Sequence, residues 1–330
     1  MIRTPLCDLL EILYPIIQGG MGPNDTTDLA AAVSNAGGLG LISRYRDGED
    51  KKSTTRQHID KVKNLTKGTF GFNQALAGEG YRERLEALLE ARREDPDVRR
   101  RLRVVVTSAG DPTPFVRPFK ESGLVYGHVV PTVYHALKSQ RAGVDFIIAE
   151  GYESGGHVSY EPVHTFVLVP AVVDAVSVPV VAAGGICDAR SFVAALALGA
   201  QGVQMGTRFY LTTEGDHAHP AIKQVLLGAR ETDTVIVPGV FGNNRHWKNP
   251  FAKALLELKS QGAGKEEIDA FKQRGQEAKL RGDLPHAGVP IGMVTGRIGQ
   301  LKSADAVIQE ITEGSKEVLA QIEGCIRTGK

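Results

Sequence analysis

The chain has 330 residues, 42% hydrophobic and 23% charged, a composition that excludes a disordered or coiled-coil protein. Its formal net charge is +1, so no global field draws it to nucleic acid or an anionic membrane, and partners must be recognised locally. Cys7, Cys187 and Cys325 are far apart and show no CxxC or Cys/His spacing, which points to a reduced, cytoplasmic setting without a metal centre. The first residues carry Arg3, Asp8 and Glu11, and no run approaches the roughly 18 apolar residues of a spanning helix.

In chain order, Ile16 to Gly20 reads as a short strand ending in glycines, and Asp25-Thr26-Thr27 reads as the cap of an alanine-rich helix over 28–36. Gly37-Gly38 stops that helix, and a strand over 39–43 completes a β-α-β unit. The alternation continues with strands expected over 69–74, 103–108, 125–130, 145–149, 178–183 and 202–206. Helices are expected over 55–65, 81–94, after Pro112, and over 132–142, 163–176 and 188–198. Several strands are apolar without alternation, as in a parallel sheet covered on its outer side. About eight such units predict an α/β fold, a closed (β/α)8 TIM barrel. A doubly wound sheet would instead want GxGxxG at the first turn, and Gly19-Gly20-Met21-Gly22 is not that pattern.

After Gly206 the rhythm breaks. The expected division is a barrel segment over 1–212, a helical insertion over the barrel mouth at 213–285, and a segment over 286–330 that completes the barrel. No strand pair is expected in the insertion. Asn249-Pro250 caps one helix carrying Phe251, Leu255 and Leu258, with Gly262 at its end; Ile268 and Phe271 mark another. A last helix starts near Ser303, with Val307, Ile308 and Ile311 on one face.

Chemistry is expected where strands end. The apolar run 146–149 empties into Glu150-Gly-Tyr-Glu-Ser-Gly-Gly-His157, and glycines before a histidine let a planar ligand approach the imidazole. Neutral, that ring can take a proton from carbon; charged, it can hold an anionic oxygen. Glu153 reads as a solvated loop acid. Gly184-Gly185 and Gly206-Thr207 end the proposed seventh and eighth strands, where barrels bind phosphate through backbone amides. His217 and His219 lack a third ligand for a metal, and His128, His135, His164 and His246 read as structural or surface residues.

Together, Pro15-Ile-Ile-Gln-Gly-Gly-Met21, Ala36-Gly-Gly-Leu-Gly40, Gly71-Phe-Asn73, Ala149 to His157, Ala182-Ala-Gly-Gly-Ile186 and Gln204-Met-Gly-Thr-Arg208 resemble the nitronate monooxygenase family, formerly 2-nitropropane dioxygenases. The resemblance runs from about residue 10 to 320 and implies a barrel that binds flavin mononucleotide (FMN). It also implies flavin contacts at Gly20, Met21, Asn73, Glu150, Gly155, Gly156, Gly184, Gly185, Gly206 and Thr207, with His157 as the catalytic residue. Three activities are implied: oxidation of alkyl nitronates by oxygen, NAD(P)H-dependent quinone reduction, and flavin-dependent enoyl-acyl-carrier-protein reduction. NADH or NADPH is then a candidate electron donor. The run His128-Val-Val-Pro-Thr132 differs from the His-Lys-Cys-Thr type of many nitronate-oxidising relatives and looks more like the enoyl reductases. A non-enzymatic FMN-binding barrel is a further alternative. The expected partner is a small-molecule substrate, and the frequency of two-fold symmetry makes a homodimer the expected assembly.

Overall fold

The apolar runs form parallel strands in a computed structural model of the chain, which describes residues 2–43, 50–214, 218–239 and 242–327. The short helix α1 (Pro5–Leu10) precedes β1 (Ile16–Gln18), and α2 (Thr27–Asn35) leads to β2 (Gly40–Ser43). Then come α3 (Lys51–Leu65), β3 (Phe70–Ala75), α4 (Tyr81–Glu94), α5 (Pro96–Arg101), β4 (Leu102–Ser108), α6 (Thr113–Glu121) and β5 (Val125–Val130). Next are α7 (Val133–Ala142), β6 (Phe146–Glu150), the short β7 (Gly156–Val158), α8 (Thr165–Ala175), β8 (Val180–Ala183), α9 (Ala189–Ala197) and β9 (Gly202–Met205).

All of these strands except β7 form one parallel sheet, ordered β1-β9-β8-β6-β5-β4-β3-β2. The ring is nearly closed. At its seam Gln18 N donates to Leu39 O at 2.9 Å and Leu39 N donates to Ile16 O at 2.9 Å. This is the expected (β/α)8 barrel.

The continuous apolar character of the strands has a simple origin. Alternate residues face two apolar compartments, so both faces of a strand must be apolar. On β6, Phe146 and Ile148 pack with Val104, Val106 and Val181, while Ile147 and Ala149 pack in a second cluster with helical residues such as Leu168 and Val172. Leu6, Cys7 and Leu10 of α1 belong to the first cluster.

Beyond β9 the one-turn helix α10 (Thr207–Tyr210) and α11 (Pro220–Leu226) lead to a feature that corrects the sequence reading. β10 (Thr234–Pro238) and β11 (Asn243–Trp247) form an antiparallel pair, although no strand pair was expected there. β-Branched residues fill β10, but Pro238 and the polar run Asn243-Asn244-Arg245 break the alternation that would mark a strand pair. β11 also pairs antiparallel with β7, so a three-stranded sheet joins the loop after β6 to this excursion.

The expected helices of the excursion are α12 (Pro250–Ser260) and α13 (Lys265–Arg281). Asn249 caps α12 by accepting from Ala252 N at 3.0 Å, and Phe251 stacks on Phe271 with ring centroids 5.0 Å apart. α13 is tied back to the barrel by buried Lys279, whose Nζ donates to Asn24 Oδ1 at 2.5 Å. The last helix, α14 (Ala304–Arg327), buries Val307, Ile308 and Ile311 as its pattern requires. Among the described residues no helix is long and apolar enough to cross a membrane.

Candidate active site

Every expected site residue lines one cavity of about 410 Å³ at the carboxyl ends of the barrel strands. That size suits a cofactor or drug-sized ligand, and the position is where such barrels carry their chemistry.

The loop after β1 supplies Gly20 and Met21. A Cβ on Gly20 would lie 2.1 Å from Asn73 Nδ2, so glycine is what lets Asn73 of β3 lie against this loop. Met21 N donates to Ser43 Oγ at 2.9 Å, which fixes the loop on β2.

The loop after β6 is held from three sides. Glu153 is not the solvated acid expected: its carboxylate accepts from Thr165 N at 3.0 and 3.1 Å and from Thr165 Oγ1 at 3.0 Å. It therefore clamps the loop to the first turn of α8, where a carboxylate also meets the positive end of the helix. Arg245 of β11 donates through Nη2 to Tyr152 O at 2.9 Å and lies over the Tyr152 ring. On the third side, Met293 N donates to Glu153 O at 3.0 Å and Gly292 N donates to Thr207 Oγ1 at 2.9 Å. A Cβ on Gly155 would stand 2.4 Å from Gly292 N, so this approach needs glycine.

Gly184 and Gly185 end β8 with φ of 90° and 73°, a turn that side-chain-bearing residues avoid. Gly206, after β9, faces open space: a Cβ there would meet nothing within 4 Å. Beside it the Gln204 side chain, 7% exposed, has its Nε2 buried without a protein partner. A glycine-walled recess with an orphaned buried donor fits a flat, heteroatom-edged group such as a flavin.

His157 sits on β7 in register with Asn244 of β11. The ring is exposed to the cavity, yet the walls around it push its pKa down to about 4, helped by the charge of Lys272. An exposed ring keeps contact with water, so the direction is what counts: a neutral imidazole at pH 7. Glu150, at the end of β6, moves the other way. Burial pushes its carboxyl up to about 7, and Ser154 opposes this only in part. One carboxyl and one imidazole on neighbouring segments are thus both shifted toward their neutral forms.

Several cavity residues were not found from the sequence. Asn244 and His246 of β11 line it, with Asn244 Oδ1 and His246 Nδ1 buried and unpartnered. Asp269, Lys272, Gln273 and Gln276 reach it from α13. Gln204 opens the motif Gln204-Met-Gly-Thr-Arg208 but was given no role of its own in the sequence. For the α13 residues the i, i+3, i+4, i+7 spacing reads equally as a solvated face. His246, expected to be structural or surface, is buried and stacks on Phe251 with centroids 6.2 Å apart. His128 is structural as expected: it is 4% exposed, and its Nδ1 lies 2.7 Å from Thr107 Oγ1. His217 lies outside the described residues, and among those described no group of His, Cys, Asp or Glu could hold a metal ion.

Residues 3–314 match the family described as Nitronate monooxygenase. A probable nitronate monooxygenase from Staphylococcus haemolyticus is 36% identical over 293 residues, 77% of this chain and 81% of that protein. The structure of FabK from Thermotoga maritima superposes with a TM-score of 0.89 at 35% identity, covering 98% of this chain and 99% of the other. A nitroalkane oxidase from Streptomyces ansochromogenes gives a TM-score of 0.79 at 24% identity, covering 96% and 99%, and shares the fold.

Proposed function

This chain belongs to the nitronate monooxygenase family, and from that premise we propose that it binds FMN in the glycine cradle and oxidises alkyl nitronates with molecular oxygen. It is an oxidoreductase. The observation that carries the proposal is the convergence of four strand-end loops and His157 on one cavity.

Backbone amides at Gly184, Gly185, Gly206 and Thr207 hold the phosphate, and no basic side chain is needed because several oriented N–H groups supply the positive potential. Gly20, Met21, Gly155 and Gly156 border the recess. Asn73, Glu150 and Gln204 supply polar atoms for the ring edges. Bound FMN supplies the two-electron redox chemistry. His157 handles the proton or the charge. Held neutral, it accepts a proton from the carbon of a nitroalkane, or it turns an N–H toward the nitronate oxygens.

A second reading rests on Val129. This residue lines the cavity where many nitronate-oxidising relatives carry lysine, and a cation there would change how the cofactor holds negative charge. Val129 favours an NAD(P)H-dependent reductase acting on a quinone or an enoyl thioester. The near-complete overlap with FabK fits that reading.

The deciding experiment mixes the purified, FMN-loaded protein anaerobically with a nitronate, NADH or NADPH and follows loss of flavin absorbance. Bleaching by the nitronate supports the first reading. Bleaching by a nicotinamide alone selects the second, and a flavin that none of them reduces leaves a non-enzymatic FMN-binding protein.

A further inference from the structure

The glycine cradle accounts for part of the cavity lining, and the part supplied by α13 has a chemistry of its own. Asp269, Lys272, Gln273 and Gln276 fall at i, i+3, i+4 and i+7 of α13, and all four line the cavity. A helix lying on a protein usually turns apolar residues inward at that spacing. α13 does so with Ile268, Phe271, Gly275 and Ala278, but the neighbouring stripe that faces the cavity is polar and carries a cation. The Lys272 side chain is only 14% exposed, and its ammonium is buried without a hydrogen-bond partner. The nearest acid, Asp269 Oδ1, stands 4.0 Å away, at the outer limit of an ion pair. Asn244 Oδ1 and His246 Nδ1, on β11, are further buried polar atoms without partners on the lining of the same cavity.

A buried ammonium without a close counter-ion is costly, and a side chain this long could have reached solvent instead. Burial does lower the basicity of Lys272, with Asp269 opposing. A ligand that brings a negative oxygen removes the cost. We propose that Lys272 is the anion-binding residue for the substrate that meets the flavin, with Gln273 and Gln276 beside it as amide donors. The substrate therefore presents an anionic oxygen group to α13. This deepens the functional reading above and rests on it. Two sources of that group are compatible with the chemistry, the nitronate itself or a phosphate of a nicotinamide dinucleotide.

Lys272→Met keeps the length of the side chain and removes its charge, and Lys272→Gln repeats the test should the Met variant not fold. Dissociation constants for ethyl nitronate and NADPH are taken from the saturation of anaerobic flavin-bleaching rates with ligand concentration, and in flavin-free protein from equilibrium titration. Neutral nitroethane and p-benzoquinone serve as uncharged controls. Removing a charge-assisted hydrogen bond should weaken binding of one anion by about ten- to a hundredfold. The neutral compounds should stay within about twofold and Lys272→Arg should keep most of the affinity. Loss confined to ethyl nitronate identifies the nitronate as the source, and loss confined to NADPH identifies the phosphate. Unchanged affinity for both anions, or equal loss for charged and neutral ligands, overturns the proposal. Protein that purifies without flavin instead sinks the functional reading; the same anion titrations on that protein still decide whether Lys272 binds anions.

Discussion

His157 and Glu150 show how environment, more than identity, sets the chemistry of a side chain. His157→Ala should leave flavin content unchanged and lower kcat/KM by about two to four orders of magnitude, the usual worth of a positioned acid or base. Wild-type turnover in that variant would remove the role. Glu150→Gln keeps the shape of the carboxyl and fixes it neutral, so flavin affinity near pH 6 should be retained. Wild-type affinity should weaken as the pH climbs past about 7 and Glu150 ionises, while the Gln variant should hold constant. Fluorescence titration of free FMN against pH checks this. The strand-end glycines Gly155, Gly156, Gly184, Gly185 and Gly206, all on the cavity lining, were legible because glycine at a strand end has a backbone reason, whereas Gly20, Met21, Asn73 and Glu150 were indicated by the family resemblance alone. Gln204, Asn244 and His246 were not legible, since their role comes from a partnerless polar atom, which only packing reveals.

Among the elements, barrel strands and their helices were readable because each buries a whole face and so imprints a periodicity. β10 and β11 left no such imprint: β10 pairs with β11 and β11 with β7, and backbone hydrogen bonds carry no side-chain signature. The turns are as specific as the strands. Gly184→Ala would place a Cβ 2.8 Å from Gly151 O while forcing an L-residue into φ of 90°. That should cost about 1–3 kcal/mol, seen as a lower denaturation midpoint and weaker FMN retention. Arg245→Met removes the bond to Tyr152 O and the guanidinium over its ring. Stability should fall by about 1–3 kcal/mol, with KM rising more than kcat falls if the loop after β6 loosens.

At the scale of the molecule, buried histidines set the acid limit. His128 and His246 are held to about 4 and about 3, against 6.5 for an imidazole in the unfolded chain. Between those values the unfolded chain binds more protons, so their contribution is whole above pH 6.5 and is lost as the pH falls through 4. Glu150 acts in reverse, losing stability as the pH rises from 4.5 to about 7. Two imidazoles outweigh one carboxyl below pH 6.5, so the urea midpoint should rise from pH 4.5 to 6.5 and rise more steeply in Glu150→Gln. A flat profile would mean that the two rings are not buried neutral in solution.

The ladder between β7 and β11 bears on how this fold can be recombined. Asn244 stands opposite His157, so the imidazole is registered by a strand that arrives almost ninety residues later. Chimeras that take the barrel from one relative and the excursion from another cut through that pairing. A graft that carries 150–158 together with 232–293 keeps the histidine with its ruler. Substrate preference should then travel with the paired block, whereas shortening the excursion into a minimal open barrel should release the His157 ring instead of merely uncovering it.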